Sequence, residues 1–267
     1  MAETEGQMRH MQDDFADQYE RLALIFGKDA LARLRSKRVA VFGIGGVGGN
    51  AMEALARSGI GTLDLFDHDR VAVSNLNRQI IALRSSIGEY KVDAAMRRIQ
   101  DIDPEITVNR HRIFFLPGTP EAEETDFSAF DYVIDAIDTV TGKIAIIEAA
   151  KKAGVPVISC MGCGNRTDPT KLEVCDLFET KNDPLARVMR RELRKRGITD
   201  LKVVCSTEPP VRPFREVQAE ENRESQETAS READGKGRKK LPPGSVAFVP
   251  SVAGLIAASV AVRELLQ

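Results

Sequence analysis

The run Gly43-Ile44-Gly45-Gly46-Val47-Gly48 is the first stretch of this chain whose residue types and spacing could do chemistry. It satisfies G-x-G-x-x-G between an apolar run, Arg38–Phe42, and a helical pattern, Asn50–Ser58. Glycines there let the backbone close on a phosphate, and the free N–H groups of a helix start favour its negative charge. Asp67 ends the next apolar run, Thr62–Phe66, where a carboxylate can accept hydrogen bonds from a ribose diol. These features suit a nucleotide without choosing among NAD, FAD and ATP. A glycine turn that serves only chain packing is the plainer alternative.

A second polar set narrows the chemistry: Ser74-Asn75-Leu76-Asn77-Arg78-Gln79, then Lys91, then Asp135-Ala136-Ile137-Asp138. Hydride transfer has little use for two cations and further carboxylates beside a nucleotide. Attack on an α-phosphate does, because cations offset the developing charge and a carboxylate holds the Mg2+ that escorts pyrophosphate. Taken singly, Arg78 and Lys91 read as solvated surface charges and Asp138 as a helix cap. Taken in order, at the carboxyl ends of predicted strands, they read as one site.

The elements that must position this set alternate. Strand patterns at Arg38–Phe42, Thr62–Phe66, Ile106–Phe115, Phe130–Asp135 and Val155–Cys160 are separated by helical patterns at Asn50–Ser58, Ser86–Ile102 and Thr141–Ala153. This predicts an α/β fold with a doubly wound, mostly parallel sheet of Rossmann-like type. Helical segments over Tyr19–Leu34, broken near Gly27, precede it. Strands Leu172–Phe178 and Leu201–Cys205 flank a basic helix, Pro184–Arg196. Residues 1–18 form a polar lead-in with no signal-peptide core, and 19–214 form the nucleotide-binding domain. More than half of residues 215–240 are charged, which predicts a disordered loop. Residues 241–267 complete the domain as a strand, Val246–Val249, and a buried helix, Ser251–Leu266. Leu241–Val262 carries no charge, but its prolines, glycines and serines argue against a membrane span and leave only peripheral membrane contact open.

Composition removes other classes. With 38 Lys and Arg against 40 Asp and Glu, the net charge of −2 excludes a polycationic nucleic-acid binder. No Trp and 5% aromatics argue against a base-stacking platform. Four cysteines are too few for a disulfide scaffold and fit a reducing cytoplasm.

On Gly43–Gly48, Asp67-x-Asp69, Asn75-Leu76-Asn77-Arg78-Gln79, Lys91 and Asp135–Asp138, the chain resembles the ubiquitin-activating-enzyme superfamily in its bacterial MoeB/ThiF/HesA branch. Ala54–Gly61, Val133–Asp138, Asp168-Pro169-Thr170, Asp183–Ala186 and Ser206-Thr207-Glu208 bring it closer to the tRNA threonylcarbamoyladenosine dehydratases. That resemblance implies ATP-dependent ring closure of the modified base through a carboxyl-adenylate. It implies that Gly43, Gly45, Gly46 and Gly48 meet the phosphates, with Asp67 and Asp69 beside the nucleotide and Asp67 on the ribose. Asn75, Arg78 and Lys91 would bind the triphosphate and Asp138 the Mg2+. Arg21 would reach the partner's ATP site in a homodimer. An alkali cation and sulfur-relay proteins are further candidate partners.

Arg187, Arg190, Arg191 and Arg194 fall on one face of the basic helix, suited to tRNA phosphates or, more plainly, to solvent. Cys160-Met161-Gly162-Cys163 is one C-x-x-C, whereas related sulfur-carrier activators hold zinc with two. Cys175 and Cys205 are isolated, so a four-cysteine zinc site is not expected. The competing readings are adenylation of a ubiquitin-like sulfur carrier, a nicotinamide-dependent oxidoreductase and a nucleotide-binding scaffold.

Overall fold

A computed structural model describes residues 18–211 and 243–267. Most of the expected lead-in and the whole of the charged loop at 215–240 lie outside the described residues. Helices α1 (Glu20–Phe26) and α2 (Lys28–Arg35) lead into β1 (Arg38–Phe42), α3 (Gly48–Arg57) and β2 (Thr62–Phe66). Next come α4 (Lys91–Ile102), β3 (Thr107–His111), β4 (Tyr132–Asp135), α5 (Val140–Ala153) and β5 (Val157–Cys160). The chain continues through β6 (Leu172–Asp176), α6 (Pro184–Arg194), β7 (Lys202–Ser206) and α7 (Phe248–Leu265).

The seven strands form one sheet in the order β3-β2-β1-β4-β5-β7-β6. Every neighbouring pair is parallel except β6–β7, which is antiparallel. The winding direction reverses at β1–β4, and a crevice opens at the carboxyl ends of two such strands. Gly43 and Asp135 stand at those two ends. The central strands are buried along nearly their whole length, as a parallel sheet covered on both faces requires. One face carries Val39, Val41, Leu63 and Leu65 under α3, α4 and α7. The other carries Phe42, Phe66, Phe115 and Phe127, where Phe42 and Phe66 stack at 4.1 Å.

Two expectations are corrected. The strand at Val246–Val249 does not form, because α7 already begins at Phe248. Pro250 falls in the first turn of that helix, where its missing N–H has no helical partner to lose. The helix expected from Ser86 begins instead at Lys91. Ser86 closes a separate turn, its hydroxyl accepting from Leu83 N at 2.9 Å, and Gly88 then takes φ +89°.

By length and composition α7 could cross a membrane, but half of it is buried within the fold. It packs on α3 so closely that a Cβ on Gly254 would lie 2.2 Å from Val47 O. At its far end Glu264 accepts from Tyr132 Oη at 2.8 Å.

Candidate active site at the β1–β4 crevice

The glycine turn is shaped by what it touches. Gly43 has φ +88°, and its N–H donates to Phe66 O at 2.7 Å, tying the ends of β1 and β2. Ala136 N–H donates to Phe42 O at 2.8 Å and ties in β4. A Cβ on Gly48 would sit 1.8 Å from Gly43 O, so this position is closed by the chain itself. Among the described residues, the one atom near such a Cβ at Gly45 is Gln79 Nε2, at 3.9 Å. Gly45 therefore faces open space on the crevice side, and Gly46 lies against Pro250. Helix α3 starts at Gly48 with no side-chain cap; Gly49 N–H donates to Gly45 O and Asn50 and Ala51 N–H to Val47 O, and the partial positive charge of the helix start lies at the glycine turn.

Asp67 is buried at the end of β2, accepting from Ile44 N–H and Asp69 N–H, each at 2.8 Å. Each carboxylate oxygen keeps one acceptor site for a ribose hydroxyl. Burial raises the Asp67 pKa above the ordinary Asp value, with Lys91 and the two N–H donors opposing the rise. Lys91 is also buried. Its Nζ lies 2.7 Å from Asp69 Oδ2 and 3.7 Å from Asp67 Oδ2. Its position follows from local backbone bonds, since Arg70 bridges Tyr90 and Lys91 N–H donates to Asp69 O at 2.9 Å. Burial alone would raise the Asp69 pKa, but the ammonium of Lys91 holds it below the ordinary value.

The Asn75–Gln79 turn covers the glycine loop. Asn75 Oδ1 accepts from Ala72 N–H at 3.0 Å, and Arg78 Nη1 donates to Ser74 O and Asn77 Oδ1, both at 2.9 Å. Gln79 is buried beside Gly45, and among the described residues its Oε1 has no hydrogen-bond partner. The Gln79 atom nearest Gly45 is Nε2, a donor suited to a phosphate oxygen. Asp138 is exposed just beyond β4, and among the described residues the Thr139 hydroxyl lies beside it at 3.4 Å.

A buried cluster that the sequence did not single out supports the Asp135–Asp138 turn. Lys143, on α5, donates from Nζ to Asp135 Oδ2 at 2.9 Å, to Cys160 O at 2.8 Å and to Ser159 Oγ at 3.3 Å. Ser159 Oγ donates to the same Asp135 oxygen at 2.5 Å. The other Asp135 oxygen faces Ile137 N–H at 3.3 Å. The only sequence signal was an Asp closing a strand with a Lys two helical turns later.

Other candidate residues lie elsewhere. Arg21 is exposed on α1, away from its own chain's crevice. On the basic helix the four arginines are not equivalent. Arg190 is half-buried and donates to Thr180 O at 2.9 Å, so it braces the preceding turn rather than facing outward. Arg194 lies 5.0 Å over the Phe178 ring, Arg191 pairs with Glu192 at 2.9 Å, and Arg187 is exposed. Cys160 and Cys163 lie near the Lys143 cluster. Burial pushes both thiols up, Cys163 to about 12 with Asp183 adding to the effect, so both stay protonated at neutral pH. Cys160 and Cys205 project into the cores on opposite faces of the sheet, which prevents the four cysteines from sharing one ion.

The ThiF family model matches residues 17–267. The chain is 44% identical over 253 residues to the tRNA threonylcarbamoyladenosine dehydratase of Bacillus subtilis, covering 94% of this chain and 95% of that one. It superposes on the Escherichia coli dehydratase TcdA in complex with AMP with a TM-score of 0.80 at 33% identity, covering 95% and 96% of the two chains. With the ATP complex of that enzyme the TM-score is 0.79 at 32% identity and the same coverage. The chain belongs to the ThiF family and, within it, to the tRNA threonylcarbamoyladenosine dehydratases.

Proposed function

We propose that this protein uses ATP to cyclise threonylcarbamoyladenosine in tRNA. The substrate carboxylate attacks the α-phosphorus of ATP and releases pyrophosphate. A nitrogen of the same modified base then attacks the acyl carbon and releases AMP. Two displacements replace one with a poor leaving group, and the tethered nucleophile removes the need for an enzyme thiol. That fits the protonated state of Cys160 and Cys163.

The observation that carries this reading is the arrangement around Gly45. An open cradle, a helix start without a side-chain cap and the Gln79 Nε2 donor lie together at the sheet's switch point. Gly43, Gly46 and Gly48 shape the cradle, and Asp67 accepts from the ribose. Asn75, Arg78 and Lys91 orient the triphosphate, with Lys91 held by Asp69. Asp138, exposed and lightly engaged, fits a hydrated Mg2+, which when bound neutralises charge on the phosphates. Lys143 keeps the turn that carries Asp138 in place through Asp135.

A homodimer completes the site in this reading. On α1, Leu24 and Ile25 are 81% and 76% exposed and no residue of the helix is buried, so its apolar side suits a second subunit, with Arg21 on the same helix. The outward arginines of α6 suit tRNA phosphates. Four free thiols fit a cytoplasmic setting, and a sulfur-relay protein is a further candidate partner.

The test is mass spectrometry of nucleosides from tRNA incubated with the protein and Mg-ATP. The expected result is threonylcarbamoyladenosine lighter by one water, with AMP and pyrophosphate formed in equal amounts. Unchanged nucleoside together with AMP release driven by a ubiquitin-like sulfur carrier would replace this reading with the carrier-activating one.

A further inference from the structure

The antiparallel edge of the sheet places three soft or anionic ligand atoms together, far along the sheet from the crevice. Side chains two apart on a strand share a face, so Glu173 and Cys175 of β6 project on the same side. Register sets Cys205 of β7 opposite Glu173. The Sγ atoms of the free thiols Cys175 and Cys205 are 3.3 Å apart, and Cys205 Sγ lies 4.0 Å from Glu173 Oε1. All three ligand atoms fall within 4.8 Å of one another.

We propose that Glu173, Cys175 and Cys205 bind a thiophilic divalent cation of the Zn2+ kind. Zinc takes sulfur at about 2.3 Å and carboxylate oxygen at about 2.0–2.2 Å, so the edges of a tetrahedral site run about 3.8 Å between sulfurs and about 3.5 Å between sulfur and oxygen. The sulfur–sulfur separation of 3.3 Å is shorter than its edge and the sulfur–oxygen separation of 4.0 Å longer, so binding needs side-chain movements of about half an ångström. The charge balance points the same way. Among the described residues Glu173 forms no ion pair, so three groups able to carry negative charge converge without a cation. Burial raises both thiols, and each acidic neighbour adds to the rise. A divalent ion would displace the thiol protons and reverse that penalty. Cys205 is buried whereas Cys175 and Glu173 reach the surface, which leaves an approach for the ion and a fourth position for water. The bound ion would join β6 to β7 at the open edge of the sheet.

The test is titration of the reduced full-length protein with Cd2+ alone, followed by sulfur-to-metal charge-transfer absorption, with Zn2+ competing. One equivalent is expected to bind, and Zn2+ to displace it. Cys175→Ser should abolish the absorption, and Glu173→Gln, at an exposed site, should weaken binding by at least about tenfold with the absorption retained. Cys163→Ser should change neither. Binding that survives Cys175→Ser, or that is lost with Cys163→Ser, would overturn the proposal. So would a chain that takes up no Cd2+ while its thiols remain reduced. Dehydration of the modified tRNA should proceed unchanged in Cys175→Ser, so this outcome is read separately from the ATP chemistry.

Discussion

Lys143 Nζ and Asp135 Oδ2 lie 2.9 Å apart with neither side chain exposed to solvent. The ammonium spends its other two donors on Ser159 Oγ and Cys160 O, so the pair is fully engaged. A buried pair of this kind adds little net stability as a unit, but removing one partner leaves an uncompensated charge. Lys143→Met should therefore destabilise the fold by about 3–5 kcal/mol. Pairing it with Asp135→Leu should recover most of that loss in denaturant unfolding. Stability recovered without activity would assign the pair to holding the Asp138 turn, whereas recovery of both would remove it from the site.

Two glycines three residues apart should respond in opposite ways. Gly48→Ala puts a methyl 1.8 Å from Gly43 O and should lower the unfolding midpoint sharply. Gly45→Ala meets nothing closer than 3.9 Å in the protein and should leave stability within about 0.5 kcal/mol. ATP affinity should fall at least about tenfold in Gly45→Ala, because its methyl would occupy the proposed phosphate cradle. Calorimetric titration of the folded variant checks this.

The raised pKa of Asp67 gives ATP binding an acid limit. In the proposed site the carboxylate receives the ribose, so affinity should fall as pH drops through a value above the ordinary 3.8. The sign for folding is opposite. A carboxyl group raised on folding contributes its stability below the unfolded value and loses it as pH rises through the folded one. Asp67→Asn should flatten the acid limb of the ATP affinity profile, and because its amide NH2 would face one of the two N–H groups the carboxylate accepts, it should also cost about 1–3 kcal/mol of stability.

Much of this site was legible because its determinants are local. The glycine spacing, Asp67 at a strand end and Asp138 beyond β4 each follow from a few neighbouring residues. The Lys143 cluster was not legible, since a lysine in a helix pattern reads as a surface charge until β4, α5 and β5 are brought together. Arg190 shows the same limit. Helical spacing puts it with Arg187, Arg191 and Arg194, but it adjoins the buried stripe of Ala186, Met189 and Leu193 and turns toward Thr180. Val246–Val249 read as a strand because its residues are apolar and partly β-branched. Packing against α3 made its second half helical instead.

Subunit complementation tests the role proposed for Arg21. Arg21→Ala and Asp138→Ala should each be inactive alone. Mixed in equal amounts with exchange of subunits, they should regain about a quarter of the wild-type rate, because half the dimers then carry one intact site of two. No recovery despite mass-spectrometric evidence of mixed dimers would remove Arg21 from the partner's site.

The basic helix makes a salt-dependent prediction. Replacing Arg187, Arg191 and Arg194 with Gln should weaken tRNA binding and reduce the slope of log affinity against log salt by about two to three. ATP affinity should not change. Arg190→Gln should act differently, lowering thermal stability through loss of its bond to Thr180 while leaving the salt slope in place.

The seating of Gly254 against Val47 O has a consequence for biogenesis. The glycine loop leaves the ribosome about two hundred residues ahead of the helix that backs it, a lag of about ten to forty seconds at ordinary translation rates. A nascent chain halted before α7 thus holds every glycine of the proposed phosphate cradle but exposes the apolar back of α3. On the proposed function, nucleotide affinity would be gained only at the end of synthesis, when α7 packs on α3.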